Sequence, residues 1–389
     1  MPKSRLPSFA KRRRETEVCM RDVFRSWGYG EIDTPVLMDY ETLRTAGSSA
    51  EDVAYKLVDE GGRILVLRPD MTAPIAEMAS QSWSDIPRPI RLCYFSRLFR
   101  RGNGEREFFQ AGAELIGGGD VAADAEVVAL CCEILAAAGL EDFQVNLGHT
   151  SVLREISSSL GLDEGESARL RASLARRDIV AVESLLATLS PDVARRAEVL
   201  LPYRGVLSMD DLDELGAAGV AENLVARIRR LLQWLEHFAP KTAVGFDPSL
   251  VRRLDYYTGS VFEIYCPETG DFLGGGGRYD GLMGRFGGEE PATGFALDMQ
   301  SVQSAVDLRE DEANGDELCL ILTEREYPGA AVRLARELRG RGYAVIVESA
   351  GEDIVDPERR GEALGATTVY VVGENQREFR MGADEGGGS

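Results

Sequence analysis

The segment from Phe108 to Ile116 places an amide and a carboxylate four residues apart, with a glycine midway between them. Successive side chains of a β-strand point to opposite faces, so Gln110, Gly112 and Glu114 would share one face. The apolar residues between them would then point to a core. Because Gly112 has no side chain, the pattern predicts a small pocket that contains an amide and a carboxylate. The same pattern also fits a solvated strand face with two ordinary polar residues.

This segment is the second arm of a predicted antiparallel hairpin over Arg91–Gly117. In the first arm, Leu92 and Tyr94 favour one face and Phe95 favours the other. The polar connection contains Gly102-Asn103-Gly104, whose residues tolerate a tight turn. The hairpin therefore presents one polar face and one apolar face, and the rest of the chain is expected to pack around it.

Motifs of this hairpin resemble the second signature motif of class II aminoacyl-tRNA synthetases, in its histidyl version. One segment before the hairpin and two segments after it resemble the histidine-pocket segments of the same enzymes. The resemblance spans about residues 24–297. The motifs are Phe99-Arg100, Arg106–Gln110 and Gly112–Glu114 in the hairpin, with Leu67–Thr72, Leu250–Gly259 and Gly275–Leu282 outside it. The resemblance implies an α+β fold: a class II synthetase-like antiparallel sheet flanked by helices.

The resemblance also implies a histidine site and names its residues. They are Asp70, Thr72, Arg100, Gln110, Glu114, Arg252, Tyr256 and Tyr257. In the family, the residues matching Asp70 and Thr72 hold the ammonium group of the amino acid, and the residue matching Arg252 meets its carboxylate. The two tyrosines line the imidazole pocket beside Glu114, where an imidazole N–H can donate to the carboxylate. Asp70 is one methylene shorter than the family's glutamate, and both Asp70 and Thr72 can instead cap the following helix.

The nucleotide side of the family pattern is altered in this sequence. In the third signature motif, Asp298 stands where the synthetases have a glycine, and Ser301 stands where they have an ATP-binding arginine. A carboxylate repels a triphosphate, and loss of the arginine removes its countercharge. The loop after Arg100 is also shorter than in the synthetases. The sequence therefore predicts a histidine-binding fold with a degenerate ATP site and no catalytic residues.

This combination resembles the regulatory subunits of ATP phosphoribosyltransferase, which are synthetase paralogues. The resemblance implies a subunit without turnover that a short catalytic subunit needs for the first step of histidine biosynthesis. Bound histidine would transmit feedback inhibition by favouring one state of the assembly. A homodimer within a hetero-oligomer is implied as well, with no cofactor and no metal ion. The alternatives are a divergent histidyl-tRNA synthetase that activates histidine with ATP, and a histidine-sensing or RNA-binding paralogue with another partner.

The net charge and the cysteine and histidine residues bear on the choice among these functions. The 389 residues contain 65 acidic and 44 basic side chains, a formal charge of −21, which argues against tRNA as a ligand because RNA affinity comes largely from neutralised phosphates. The six cysteines show no CxxC spacing, and His149 and His237 are the only histidines. We therefore expect reduced core cysteines and a cytoplasmic protein. No leader and no apolar run of about 18 residues indicates secretion or a membrane span.

Hydrophobic periodicity predicts the elements around the hairpin. They are a helix at Phe9–Trp27, a strand at Glu31–Leu37, a hairpin at Leu57–Arg68, helices at Ala73–Ser80 and Ala122–Ala138, and strands at Phe143–Leu147 and Leu250–Tyr265. Residues 1–310 form the synthetase-like core, with a helical insertion at about 151–240 in which Trp234 and His237 are expected to be core residues. Alternation along the last strand would place Tyr256 and Tyr257 on opposite sides unless a bulge intervenes.

The C-terminal part alternates strands and helices, which predicts a small α/β domain over residues 316–389. Its elements are strands at Leu318–Thr323, Tyr343–Glu348 and Thr367–Val372, with helices at Tyr327–Gly340 and Pro357–Gly365. It resembles a reduced anticodon-binding domain, and the acidic segment Asp307–Gly315 is the predicted linker.

Overall fold

The protein divides into two compact units, residues 1–309 and residues 310–389. A computed structural model describes residues 7–47, 50–83, 85–102, 106–140, 142–201, 205–239, 242–251, 256–307, 318–324, 327–349, 356–374 and 376–380. The functional candidates of the sequence all belong to the first unit.

The helices of the first unit are most numerous between residues 150 and 240, as the sequence predicts. They are α1 (Pro7–Ser26), α2 (Tyr40–Ala46), α3 (Ala50–Val53), α4 (Thr72–Ser82), α5 (Val121–Ala137), α6 (Thr150–Ser159), α7 (Glu164–Ala175), α8 (Ile179–Leu186), α9 (Pro191–Ala197), α10 (Asp213–Ala217), α11 (Glu222–Phe238), α12 (Asp280–Arg285) and α13 (Met299–Asp307). None of the helices in the described parts of the chain is long and apolar enough to cross a membrane.

The strands of the first unit form two sheets. They are β1 (Gly30–Glu31), β2 (Leu37–Asp39), β3 (Tyr55–Val58), β4 (Ile64–Leu67), β5 (Ile90–Phe99), β6 (Glu107–Ile116), β7 (Gln144–His149), β8 (Ala243–Phe246), β9 (Ser260–Tyr265), β10 (Phe272–Arg278) and β11 (Ala292–Asp298). The order in the larger sheet is β1-β5-β6-β11-β10-β9-β7-β8, and the smaller sheet has the order β2-β4-β3. The larger sheet is antiparallel except where β1 joins β5 and β7 joins β8.

The predicted central hairpin is confirmed. β5 and β6 pair in continuous register from Ile90 opposite Ile116 to Phe99 opposite Glu107, while Asn103 and Gly104 of the predicted turn lie outside the described residues. One face of this hairpin packs against the core that contains α5, which is buried along most of its length. The N-cap Asp120 accepts a hydrogen bond of 3.0 Å from the backbone N–H of Ala123 and so begins α5 shortly after the end of β6.

The predicted strand Glu31–Leu37 is wrong. β1 ends at Glu31 after pairing with β5, and β2 begins at Leu37 in the smaller sheet. Pro35 between them has no backbone N–H to donate to a ladder. The chain therefore crosses from one sheet to the other in this segment.

The strand predicted for Leu250–Tyr265 is also too long. β9 begins at Ser260, and the described residues before it are not in a strand. Asp247 begins an Asx turn in which its carboxylate accepts the Ser249 backbone N–H at 2.8 Å. The Thr258 N–H donates to Arg278 O at 2.8 Å, just before β9 begins to pair with β10.

The prediction that Trp234 and His237 of the helical insertion are core residues is wrong. The Trp234 side chain is 45% exposed and stacks on Phe238, and His237 is exposed. The buried stripe of α11 contains Leu231 and Leu235. Because a helix has 3.6 residues per turn, Trp234 and His237 fall beside this stripe rather than on it.

The cysteines are unpaired, and five of the six are buried as predicted. Cys19 is the exception, because it lies on the exposed side of α1.

The second unit contains a four-stranded sheet with the order β13-β12-β14-β15. Its elements are β12 (Leu318–Thr323), α14 (Pro328–Gly340), β13 (Ala344–Ser349), α15 (Pro357–Leu364), β14 (Thr368–Val372) and β15 (Arg377–Arg380). The five predicted elements are confirmed to within one residue at each end, and β15 was not predicted. Apart from Asp307, the predicted linker lies outside the described residues.

Candidate ligand-binding site

Seven of the eight residues predicted to bind histidine line one cavity of about 130 Å³ in the first unit. They are Asp70, Thr72, Arg100, Gln110, Glu114, Tyr256 and Tyr257. The eighth, Arg252, lies outside the described residues. The other lining residues were not predicted as site residues; they are Met71, Tyr94, Phe272, Gly275, Tyr279, Gly294, Phe295 and Ala296.

The floor of this cavity is the face of β6 on which the sequence placed Gln110 and Glu114. The gap that was predicted at Gly112 is occupied by the hydroxyl of Tyr94, the residue that pairs with Gly112 across the hairpin. A Cβ atom at Gly112 would collide with this hydroxyl and with the carbonyl oxygen of Phe295. The glycine therefore lets an aromatic side chain lie flat on the cavity floor. Pairing of Gly with Tyr across a hairpin is the signal that could have identified Tyr94.

We expect Gly112→Ala to lower the free energy of unfolding by about 1–3 kcal/mol, because the added methyl group overpacks a buried sheet. Chemical denaturation measures this change. The matched control is Gly216→Ala in α10, where a Cβ atom would meet no other described atom within 4 Å. An equal loss in both variants would mean that the collision at Gly112 is not its cause.

Glu114 lines the cavity and is only 2% exposed. Thr72 Oγ1 donates to Glu114 Oε1 at 2.9 Å, and the hydroxyl of Tyr279 donates to Glu114 Oε2. Gly294 pairs with Glu114 on β11, and any side chain at this glycine would collide with the carboxylate. Burial raises the pKa of Glu114 to about 8, because removal from water disfavours the ionised form more than the two hydroxyl donors favour it.

The raised pKa of Glu114 predicts how stability depends on pH. The carboxyl group has an ordinary pKa of 4.5 and a folded-state pKa of about 8, so the folded state binds more protons than the unfolded chain between these values. The free energy of unfolding should therefore fall as the pH rises from about 5 to 8. Glu114→Gln should reduce this slope, as measured by urea denaturation at pH 5, 6.5 and 8. The same slope in both proteins would contradict the buried titration.

Asp70 and Arg100 also line the cavity. Asp70 Oδ1 accepts the Ala73 backbone N–H at 3.0 Å, which confirms the predicted capping of α4, whereas Thr72 uses its hydroxyl on Glu114. Burial raises the pKa of Asp70, and the nearby charge of Arg100 opposes this. Arg100 Nε donates to Pro69 O at 2.8 Å. The described lining residues therefore include two acidic groups and one guanidinium group, and the acidic group near Arg100, Asp70, suits a ligand ammonium group.

Tyr256 and Tyr257 both line the cavity, with ring centroids 4.9 Å apart. The strand alternation that would separate them does not apply, because both residues precede β9. Tyr256 also packs edge to face on Tyr279 at 6.0 Å. The three rings form an aromatic wall next to the carboxylate of Glu114.

Asp298 and Ser301 lie at the junction of β11 and α13 and are not among the residues that line the cavity. Asp298 pairs with Gln110 across the sheet. Its Oδ1 accepts the backbone N–H groups of Gln300 at 2.9 Å and Ser301 at 3.0 Å. The carboxylate in the position of the family's glycine thus has a local role, because it satisfies two free donors at the start of a helix.

A buried ion pair behind the cavity was not predicted. Arg278, the neighbour of Tyr279 in sequence, is 4% exposed in its side chain, and its Nη2 lies 2.7 Å from Oδ1 of Asp124 on α5. Arg278 Nη1 donates to Gly118 O at 2.9 Å, and Nη2 donates to Asp120 O at 3.2 Å. Arg227 on α11 reaches the other oxygen of Asp124 at 3.2 Å. The pair therefore connects β10, the start of α5 and the helical insertion.

Comparison with known sequences identifies the family. A family model described as histidyl-tRNA synthetase matches residues 3–302. The ATP phosphoribosyltransferase regulatory subunit of Moorella thermoacetica is 37% identical to the chain over 378 residues, covering 94% of this chain and 95% of the relative. The protein of the same name from Symbiobacterium thermophilum is also 37% identical, with coverages of 94% and 92%.

Solved structures agree with this result and confirm the predicted fold. The crystal structure of an ATP phosphoribosyltransferase regulatory subunit/histidyl-tRNA synthetase from Bacillus halodurans matches with a TM-score of 0.82 at 33% identity, covering 92% of this chain and 94% of that one. Histidyl-tRNA synthetase from Nostoc sp. PCC 7120 has a TM-score of 0.76 at 18% identity, with coverages of 98% and 97%, and supports the fold alone. The chain therefore belongs to the histidyl-tRNA synthetase-like proteins and, among them, to the family of ATP phosphoribosyltransferase regulatory subunits.

Proposed function

We propose that this chain is a cytoplasmic, non-catalytic subunit that binds L-histidine in the cavity and thereby regulates a short ATP phosphoribosyltransferase catalytic subunit. Its relatives carry the name of regulatory subunits of that enzyme. The partner would catalyse the first step of histidine biosynthesis and depend on this chain for activity. Histidine would act as a feedback inhibitor by binding the inhibited assembly more tightly than the active one.

The observation that carries the proposal is the distribution of charge along the cavity. Glu114 is buried in the cavity wall and is suited to an imidazole N–H, and Asp70 is suited to the ammonium group of an amino acid. Arg100 supplies a guanidinium group for the carboxylate. Gln110 and Glu114 are roughly 13 Å apart along one strand, so the cavity has distinct ends for the amino-acid group and for the side chain.

We infer the absence of turnover from two residues in the nucleotide-binding part of the family pattern. Asp298 and Ser301 replace the glycine and the arginine of the synthetase motif, and Asp298 has a capping role that a glycine could not perform. The runner-up function, a divergent histidyl-tRNA synthetase, requires ATP to bind close to this carboxylate without the arginine.

Calorimetric titration of the isolated chain with L-histidine, followed by ATP, tests both functions. We expect heat from histidine and none from ATP. Addition of the chain to a short catalytic subunit should then raise phosphoribosyltransferase activity, and histidine should lower it. A clear ATP response with pyrophosphate exchange would favour the synthetase, and absence of histidine binding would overturn the proposed site. Asp298→Gly with Ser301→Arg should restore ATP affinity if these two residues are the reason for its loss.

We also propose that the subunit forms a homodimer within the hetero-oligomer. The outer face of the smaller sheet is apolar and partly uncovered, since Leu37 is 47% and Leu57 is 44% exposed. Leu65 and Leu67 lie on the same face by register. A second copy would bury this surface. Light scattering of the purified chain measures the mass, and a monomer at micromolar concentration would contradict the dimer.

A further inference from the structure

Three aromatic side chains lie together on the surface where α1 meets the helical insertion, and we call them the aromatic surface. Trp27 follows the last residue of α1, and Trp234 and Phe238 belong to the last two turns of α11. The rings of Trp234 and Phe238 stack with centroids 5.5 Å apart, and the Phe238 ring lies 5.9 Å from that of Trp27. Trp234 is 45% exposed and Phe238 is 42% exposed. Single exposed apolar side chains are common, but a contiguous group of them indicates a contact with another molecule.

The aromatic surface has a carboxylate and three helix ends beside it. Glu133 of α5 is exposed and accepts a hydrogen bond of 2.9 Å from Trp27 Nε1, so its carboxylate lies at the edge of that ring. The helices α1, α5 and α11 all end within about one turn of Trp27, Glu133 or Phe238. The C-terminus of a helix is the negative end of its dipole. Arg25, in the last turn of α1, is paired with Asp22. The local field therefore favours a positive charge.

The chemistry of the aromatic surface matches a guanidinium or ammonium group. The face of an aromatic ring attracts such a cation through its quadrupole, and a carboxylate at the ring edge can accept hydrogen bonds from the same group. Arg230 is exposed one turn before Trp234, whereas Phe238 lies one turn after it. The end formed by Phe238, Trp27 and Glu133 is therefore the one suited to a cation.

The net charge of the chain favours a basic partner protein over a second copy. With a formal charge of −21, two copies repel each other, whereas a protein with a basic surface is attracted and guided to the acidic chain. Tryptophan and arginine are also the side chains that contribute most to binding at the centre of protein interfaces. An arginine or lysine on the partner would thus find both the field and the rings that it requires.

We propose that the aromatic surface docks a protein surface that presents an arginine or lysine, and that this protein is the catalytic subunit. The cationic side chain would lie on the rings of Phe238 and Trp234 beside the carboxylate of Glu133. This inference rests on the proposed function, because that function supplies the partner. None of these three residues lines the cavity, so docking and histidine binding would use separate parts of the first unit.

The test measures binding of full-length variants to a short ATP phosphoribosyltransferase subunit by calorimetry. Trp234→Leu keeps an apolar side chain but removes the aromatic face, and it should weaken the association about tenfold. Trp234→Phe keeps an aromatic face and should stay within about threefold of wild type. Glu133→Gln should also weaken the association, because it removes the charge but keeps an acceptor for Trp27 Nε1. Binding of the wild-type chain should weaken as the salt concentration rises from about 0.05 to 0.5 M.

Gln233→Ala is the matched control. Gln233 is exposed on the same helix, about 100° around its axis from Trp234, and this variant should keep wild-type association. Equal losses in Trp234→Leu and Trp234→Phe would assign the contact to something other than the aromatic face and would overturn the cationic partner. Wild-type association in both Trp234→Leu and Glu133→Gln would overturn the docking surface itself.

Two measurements on the isolated chain separate this inference from the proposed function. Every variant should bind L-histidine with wild-type affinity, and if Trp234→Leu has lost this binding because it does not fold, the association of Glu133→Gln decides. Light scattering of Trp234→Leu should give the wild-type mass, since a lower mass would mean that a second copy covers the aromatic surface and would overturn the inference. No association of the wild-type chain with the catalytic subunit would instead refute the proposed function, and this inference with it.

Discussion

Replacing Arg278 by methionine should lower the free energy of unfolding by about 3–5 kcal/mol, the largest stability effect that we expect from a single substitution in this protein. The Asp124 side chain is 3% exposed and would lose its most buried partner when the guanidinium is removed. The backbone carbonyl groups of Gly118 and Asp120 at the start of α5 would lose their donor as well. Arg227 would still contact the other oxygen of Asp124 at 3.2 Å, but 31% of its side chain is accessible, so it would compensate only part of the buried charge.

Urea denaturation measures this loss, and a second substitution identifies its cause. If the incompletely paired buried carboxylate is responsible, Asp124→Leu in the Arg278→Met background should recover part of the stability, because the cost of burying that group disappears. Arg25→Met is the control, as Arg25 pairs with Asp22 on the surface, where both side chains are largely exposed, and should have little effect. A double variant no more stable than Arg278→Met alone would assign the loss to packing.

The second large effect concerns ligand affinity. Glu114→Gln should weaken L-histidine binding by roughly 10–100-fold, or about 1–3 kcal/mol. The amide keeps the size of the side chain but offers one acceptor oxygen in place of two. Thr72 and Tyr279 compete for that oxygen, because both donate to the carboxylate in this protein. Calorimetric titration near pH 7 measures the change.

Glu126→Gln is the matched control for this experiment. Glu126 also accepts from a tyrosine hydroxyl and from an arginine, but it lies on α5 with Tyr29 and Arg91 as partners. It should leave histidine affinity unchanged. Unaltered binding in Glu114→Gln would place the histidine site elsewhere in the chain, even if the family assignment holds.

The sequence predicted the fold correctly where the periodicity of neighbouring residues determines the structure. The alternation of β6 correctly placed Gln110 and Glu114 on one face, and the helical texture of residues 151–238 correctly indicated an insertion of short helices. The predictions failed where they required the first residue of a strand or the exact position of the buried stripe on a helix. Tyr256 and Tyr257 were assigned to a strand whose ladder begins only at Ser260, and Trp234 was assigned to a stripe that passes beside it.

The sequence predicted which residues line the candidate site better than it predicted how these residues interact. Seven of its residues were selected by their resemblance to known motifs, and they line one cavity. No local pattern, however, could give the contact between Glu114 and Tyr279, which are 165 residues apart in the chain. The pKa of Glu114 depends on that burial and on those donors, so it could not be inferred from the residue type.

By itself, then, the sequence determined which side chains share a strand face and which segments form helices, because these depend on backbone periods of 2 and 3.6 residues. Only the tertiary structure decided that Tyr94 occupies the gap at Gly112, that Asp298 caps α13 and that Arg278 holds Asp124 out of water. These contacts join elements brought together by strand pairing and core packing. Their energies come from desolvation and from the direction of hydrogen bonds, which exist only once the elements have met.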